Sequence, residues 1–191
     1  MQSAKDSFYV ALRDRLAALN PQRTVTVNGV TRPAVLVVEN ESITAAGPLP
    51  EAFYLGWGNA QPVAATLNGQ PPLLALECTV SYWTGGSAEM QGVDRGRTLA
   101  QLDYELLTIC TPPSTPMCDY TQTPPAPLGA NVLWTLPQLR LKTQPQLVSA
   151  SPQWAVMGEQ LLASPPDSVP VIRLERAATL TVYFYPEASD S

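Results

Sequence analysis

Residues 73–110, LLALECTVSYWTGGSAEMQGVDRGRTLAQLDYELLTIC, restrict the fold more than any other part of this chain. From 74 to 82 the even positions carry Leu74, Leu76, Cys78, Val80 and Tyr82, while Glu77, Thr79 and Ser81 occupy odd ones. A period of two with one apolar side is the pattern of a half-buried strand. Beyond Gly85 and Gly86 the period lengthens. Arg95, Leu99, Leu102, Leu106 and Cys110 then share one side of a helical wheel, with Arg97, Gln101, Tyr104 and Glu105 away from it. A strand and a helix with one oily face each must bury those faces, and the simplest partner for each is the other.

The rest of the chain supplies more elements of both kinds. Phe8, Leu12, Leu16 and Leu19 form a helical stripe over residues 3–19. Ser3 is placed to cap that helix, with Asp6 in its first turn, and Asn20-Pro21 ends it. Residues 23–27 and 30–39 flank Asn28-Gly29, a strong hairpin signal, and Pro33 belongs at an edge or a bulge. Residues 51–58 read as a strand. A second hairpin turn, Asn68-Gly69, would join residues 62–67 to the long strand. Residues 131–136 and 139–142 read as short strands. Residues 151–163 have no single reading, although Ser151-Pro152 makes a fair helix start. Ala178, Leu180, Val182 and Phe184 alternate with Thr179, Thr181, Tyr183 and Tyr185 in a closing amphipathic strand over 169–185, and 186–191 is a polar tail.

Residues 111–127 hold six prolines in seventeen positions. Proline fixes φ and cannot donate to a ladder, so this segment reads as a surface loop or a partner-binding arm rather than packed structure. Shortening it is expected to leave the fold intact. Together these elements predict an α+β fold. A mixed, mostly antiparallel sheet is packed by two amphipathic helices, with a proline-rich excursion, in a single domain over 1–191.

Charge narrows the partners. Only 14% of the 191 residues are charged, well below the usual quarter, which suggests neutral surface that other chains cover. Net charge is −5, and the basic residues are scattered, so a nucleic-acid grip and anionic membranes are disfavoured. No apolar run is long enough to span a bilayer, and Arg13, Asp14 and Arg15 interrupt any signal-like core at the start, so cytoplasmic synthesis is expected.

No reaction is announced. With no histidine, the sequence excludes Ser-His-Asp triads, Cys-His dyads and histidine metal ligands. No phosphate-binding glycine loop is present. Glu39, Glu41, Asp94, Asp103 and Glu105 are the carboxylates considered as acid–base pairs; Asp103, at the margin of the apolar stripe, reads better as a partner for an arginine. Cys78 and Cys110 read as small buried residues, and a Cys110–Cys118 disulfide is the less favoured option in a reducing compartment. No catalytic residue, metal or cofactor is expected.

Two features point to contacts with other chains. Asp94-Arg95-Gly96-Arg97 reads either as a helix cap with solvated arginines or as a subunit contact, since the guanidinium fork suits interface carboxylates. Tyr54, Trp57, Trp83, Tyr183 and Tyr185 fall on strands or at strand ends, where they suit sheet packing, protein contacts or sugar stacking.

The order of elements resembles that of the tail-terminator (tail-completion) proteins of tailed phages, and of the cap proteins of contractile injection systems. The order is a helix, an Asn-Gly hairpin, strands, the strand LLALECTVSYW, the helix DRGRTLAQLDYELLTI, a proline-rich excursion and the strand TLTVYFY. Tyr82-Trp83-Thr84-Gly85 and Arg95-Gly96-Arg97 match that family's aromatic and Thr-Gly loop and the Gly-Arg pair at its helix start. The resemblance implies a structural role in the virion, at the head-proximal end of the tail. Six copies would form a ring that caps the tail tube and docks the head-side connector, while DNA passes the bore without specific contacts. Asp94, Arg95, Arg97, Tyr82 and Trp83 are the candidate subunit interface. The alternative is a β-rich module that binds carbohydrate or protein without catalysis.

Overall fold

A computed structural model describes residues 1–40, 48–63, 72–86, 93–111, 113–141, 146–148 and 171–186. The fold is α+β, two helices against a mostly antiparallel sheet. The first helix, α1, spans Gln2–Leu19 and buries Ala4, Ser7, Phe8, Leu12 and Leu16. It starts one residue earlier than Ser3 allows, with Met1 at the cap position and no side-chain cap, so Asp6 lies beyond the first turn. Leu19, at the frayed end, stays 37% exposed instead of completing the stripe. Asn20 closes the helix in an extended conformation, as the residue before a proline should, and its N–H reaches Leu16 O at 2.8 Å.

Strands β1 (Thr24–Val27) and β2 (Val30–Pro33) form the expected hairpin. Asn28 and Gly29 both have positive φ, which a two-residue turn of this hand requires. The second arm is not one strand to residue 39, however. Pro33 has no N–H to continue the pairing, and Ala34 N–H instead bonds Arg23 O at 2.9 Å. The chain then enters the main sheet as β3 (Val35–Val37), parallel to β4 (Phe53–Pro62), after which a 3-10 turn covers Val38–Asn40. The Asn68-Gly69 turn lies outside the described residues.

β5 (Leu74–Thr84) pairs antiparallel with β4 on one edge and with β10 (Val171–Phe184) on the other, from Leu174↔Thr84 to Phe184↔Leu74. Its period of two is as expected: Leu76, Cys78, Val80 and Tyr82 are buried. Between β5 and β10 run α2 (Val93–Ile109), β6 (Ser114–Asp119), β7 (Ala126–Trp134), β8 (Gln138–Leu141) and β9 (Gln146–Val148). The far edge of β10 is shared in turn by β9, β8 and β7, and the sheet order is β3-β4-β5-β10-β7-β6. Residues 151–163 lie outside the described residues.

The proline-rich segment is not a loop or arm. Within it β6 forms the sheet's last strand and buries Met117. An edge strand tolerates proline because one side of its backbone needs no partner, and Pro116 is exposed. Ser7 of α1 ties the segment down: its hydroxyl donates to Ser3 O at 2.6 Å and accepts from Cys118 N–H at 2.9 Å. Arg15 adds a clamp, donating to Ile109 O at 3.0 Å and Ser114 O at 2.9 Å over the Trp134 ring.

Both helices pack on one face of the sheet. Phe8 meets Trp57 and Trp134 edge to face, with centroids 5.8 and 5.1 Å apart. Trp57 thus faces α1, with Lys5 over its ring. On α2, Leu99, Leu102, Leu106 and Ile109 are buried as their spacing predicts, and Cys110 follows. All three cysteines are free, Cys78 and Cys110 among the core residues.

Candidate interface on the open sheet face

Alternation along β5 and β10 sends one set of side chains into the core and leaves the other on the opposite face, where among the described residues no helix packs. In register order that face carries Ala75 beside Tyr183, Glu77 beside Thr181, Thr79 beside Thr179, Ser81 beside Ala177, and Trp83 beside Glu175. Glu77 and Glu175 are its only charges on these two strands. Tyr54 of β4 lies beside Ser81 and extends the same face.

At one end the small Ser81 lies between larger neighbours, opening a recess of about 170 Å³ bounded by Tyr54, Trp83, Glu175, Arg176 and Pro48. Its rim is fixed to both rings. Trp83 Nε1 donates to Pro48 O at 3.1 Å, and Tyr54 Oη accepts from Leu49 N–H at 2.7 Å. The backbone joins in, since Glu51 N–H donates to Trp83 O at 2.7 Å. Glu51 itself has φ of +57°, a left-handed conformation that costs a non-glycine residue energy.

The interface residues picked from sequence separate in the structure. Tyr82 is 1% exposed and has no surface to offer a partner; its hydroxyl donates to Asp103 Oδ1 at 2.5 Å. Burial, followed by that hydrogen bond and the Asp103 charge, pushes the phenol's pKa up and keeps it protonated. Arg176 of β10 completes the cluster through an ion pair with Asp103 Oδ2. Asp103 is therefore an arginine partner, as its position on the stripe margin suggested. Arg95 is held within the chain: its Nε donates to Gly85 O at 2.9 Å, and Asp94 Oδ1 accepts from Arg95 N–H. A Cβ at Gly86, where φ is +65°, would come within 2.3 Å of Arg95 Cγ, so the pair is locked in place. Replacing Arg95 would thus disturb this loop as well as any interface. Trp83 lines the recess, and Arg97 is exposed near the start of α2.

Sequence reasoning misplaced Glu105. The helical wheel put it on the outer side, yet it is fully buried. Its carboxylate accepts from Asn20 Nδ2 at 2.7 Å, Arg23 Nε at 2.9 Å and Gln101 Nε2 at 3.1 Å. Arg23 also reaches Glu51 Oε2 at 2.7 Å, and Glu51 Oε1 accepts from Thr84 Oγ1 at 3.2 Å. Burial alone would raise the Glu105 pKa. The three hydrogen bonds and the Arg23 charge outweigh it and hold the carboxyl below its ordinary value. The cluster binds the end of α1, the middle of α2 and the starts of β1 and β4.

Among the described residues no group of three or more His, Cys, Asp or Glu is placed to hold a metal ion. No helix there is long and apolar enough to cross a membrane. Neither a protein-family model nor a curated protein matches this chain.

Proposed function

We propose that this chain is a structural assembly protein of the tail-terminator type. Its copies form a ring, six in number by the family resemblance, that caps a tail tube at the head-proximal end of a virion and presents the docking face for a head-side connector. The observation that carries this reading is the one-sided sheet. Helices cover one face, and the other is a broad, nearly uncharged platform from Ala75 to Trp83 and Glu175 to Tyr183. A neutral, half-exposed surface of threonine, alanine and tyrosine is suited to being covered by another chain, because little charge must be desolvated. The net charge of −5 agrees with a bore that DNA traverses without gripping it.

The test is the mass of the purified protein in solution, alone and with a tube protein. A ring, or a monomer that shortens growing tubes, is the expected result. A monomer indifferent to tubes overturns the reading. The recess at Tyr54 and Trp83 favours one other reading, a carbohydrate- or protein-binding module, because paired aromatics beside a carboxylate can stack a sugar ring. A glycan screen with Trp83→Ala as its control separates the two.

A further inference from the structure

We propose that the recess at Tyr54, Trp83 and Glu175 receives the Arg97 side chain of a neighbouring copy of this chain, a contact that rests on the assembly reading above. Size is the first argument. The recess holds about 170 Å³, below the roughly 300 Å³ at which pockets begin to take drug-sized ligands, and it suits a single long side chain.

Chemistry is the second. The polar ends of both rings already bond the Pro48–Leu49 backbone, so what they add to the recess is carbon surface. Ser81 and Glu175 add a hydroxyl and a carboxylate. Ring surface beside a carboxylate is what a guanidinium uses best, because it is planar, stacks on aromatic faces and forks two bonds to an acid. Arg176 borders the same recess, but its guanidinium is engaged by Asp103.

Placement is the third. α2 packs on the core side of β5 through Asp103 and Tyr82, whereas the recess opens among the odd residues of β5 on the other side. Arg97 and its receptor are thus on opposite faces of one subunit. A contact between two different patches is head-to-tail, and repeating it gives a closed ring or a filament. Arg140 is also exposed, but it pairs with Ala177 on the recess side of the sheet and does not provide the opposite patch.

The experiment compares solution mass for the wild type, Arg97→Glu, Glu175→Arg and the double charge swap, with cooperative thermal unfolding as the check on folding. Glu175→Gln stands in if the arginine substitution unfolds the sheet, and it is expected to weaken assembly without restoring it in any combination. Each single reversal should weaken association at least ten-fold, and the double swap should restore it. If the wild type assembles and Arg97→Glu assembles equally well, this contact is wrong and the assembly reading stands. Failure of the double swap to recover the singles removes the Arg97–Glu175 pairing. A wild type that neither assembles nor binds tubes overturns both.

Discussion

Glu105 shows how one residue can reverse its sequence reading. A carboxylate at that wheel position is ordinarily solvated, and nothing local marks it otherwise; its partners Asn20 and Arg23 lie more than eighty residues away in the chain. Removing one member of a buried pair leaves the other charge uncompensated, so Glu105→Gln should cost about 3 kcal/mol in urea unfolding, or less because Glu51 still holds Arg23. A cost near zero would mean that the cluster is neutral to folding. The pH dependence has a definite sign. A carboxyl whose folded pKa lies below its unfolded value contributes stability above the unfolded value, about 4.3 for glutamate, and loses it as pH falls through the folded pKa. Wild type should therefore lose stability on acidification through that window more steeply than Glu105→Gln. Parallel acid profiles would assign the loss to other carboxylates. Asp103 was legible where Glu105 was not, because its place on the stripe margin already required a polar partner on a neighbouring element.

At the scale of elements the period-two strands were the most legible, and the proline-rich segment the least. β5 and the closing strand each carry their own face pattern, so burial follows from alternation alone. Six prolines hid β6, because composition argues against a ladder while an edge position permits one. One local signal was available: Asp119 accepts from Thr121 N–H at 2.9 Å and from Gln122 Nε2 at 2.8 Å, a turn that Asp-Tyr-Thr-Gln spells in sequence. The structure reverses the expectation for this segment. Deleting residues 114–119 should abolish cooperative unfolding, since β6 joins α1 to the sheet and covers Met117. A gentler test is Ser7→Ala, which leaves Cys118 N–H without its acceptor and should cost about 1–2 kcal/mol in thermal or urea unfolding. A variant as stable as wild type would make the Ser7 link incidental.

For the whole molecule, two helices on one side of a sheet leave the other side to be explained, and residue chemistry decides how. The pattern of β5 and β10 made both faces readable, but not that both helices would choose the same one; that depends on connections across the chain. A monomer with no use for the open face would be expected to solvate it with lysine and glutamate, as surfaces generally are. Here Thr79 and Thr179 sit directly opposite each other at its centre, both half-exposed. Thr179→Lys separates folding from assembly. A lysine on an open strand face is solvated, so unfolding should shift by under about 1 kcal/mol. The same lysine beneath a neighbouring subunit would be an unpaired charge taken out of water, and association should fall by on the order of a hundred-fold. Solution mass measured over a dilution series reads both at once. A variant that folds normally and still assembles like wild type would place the ring contact away from the sheet centre and leave the neutral platform without its proposed use.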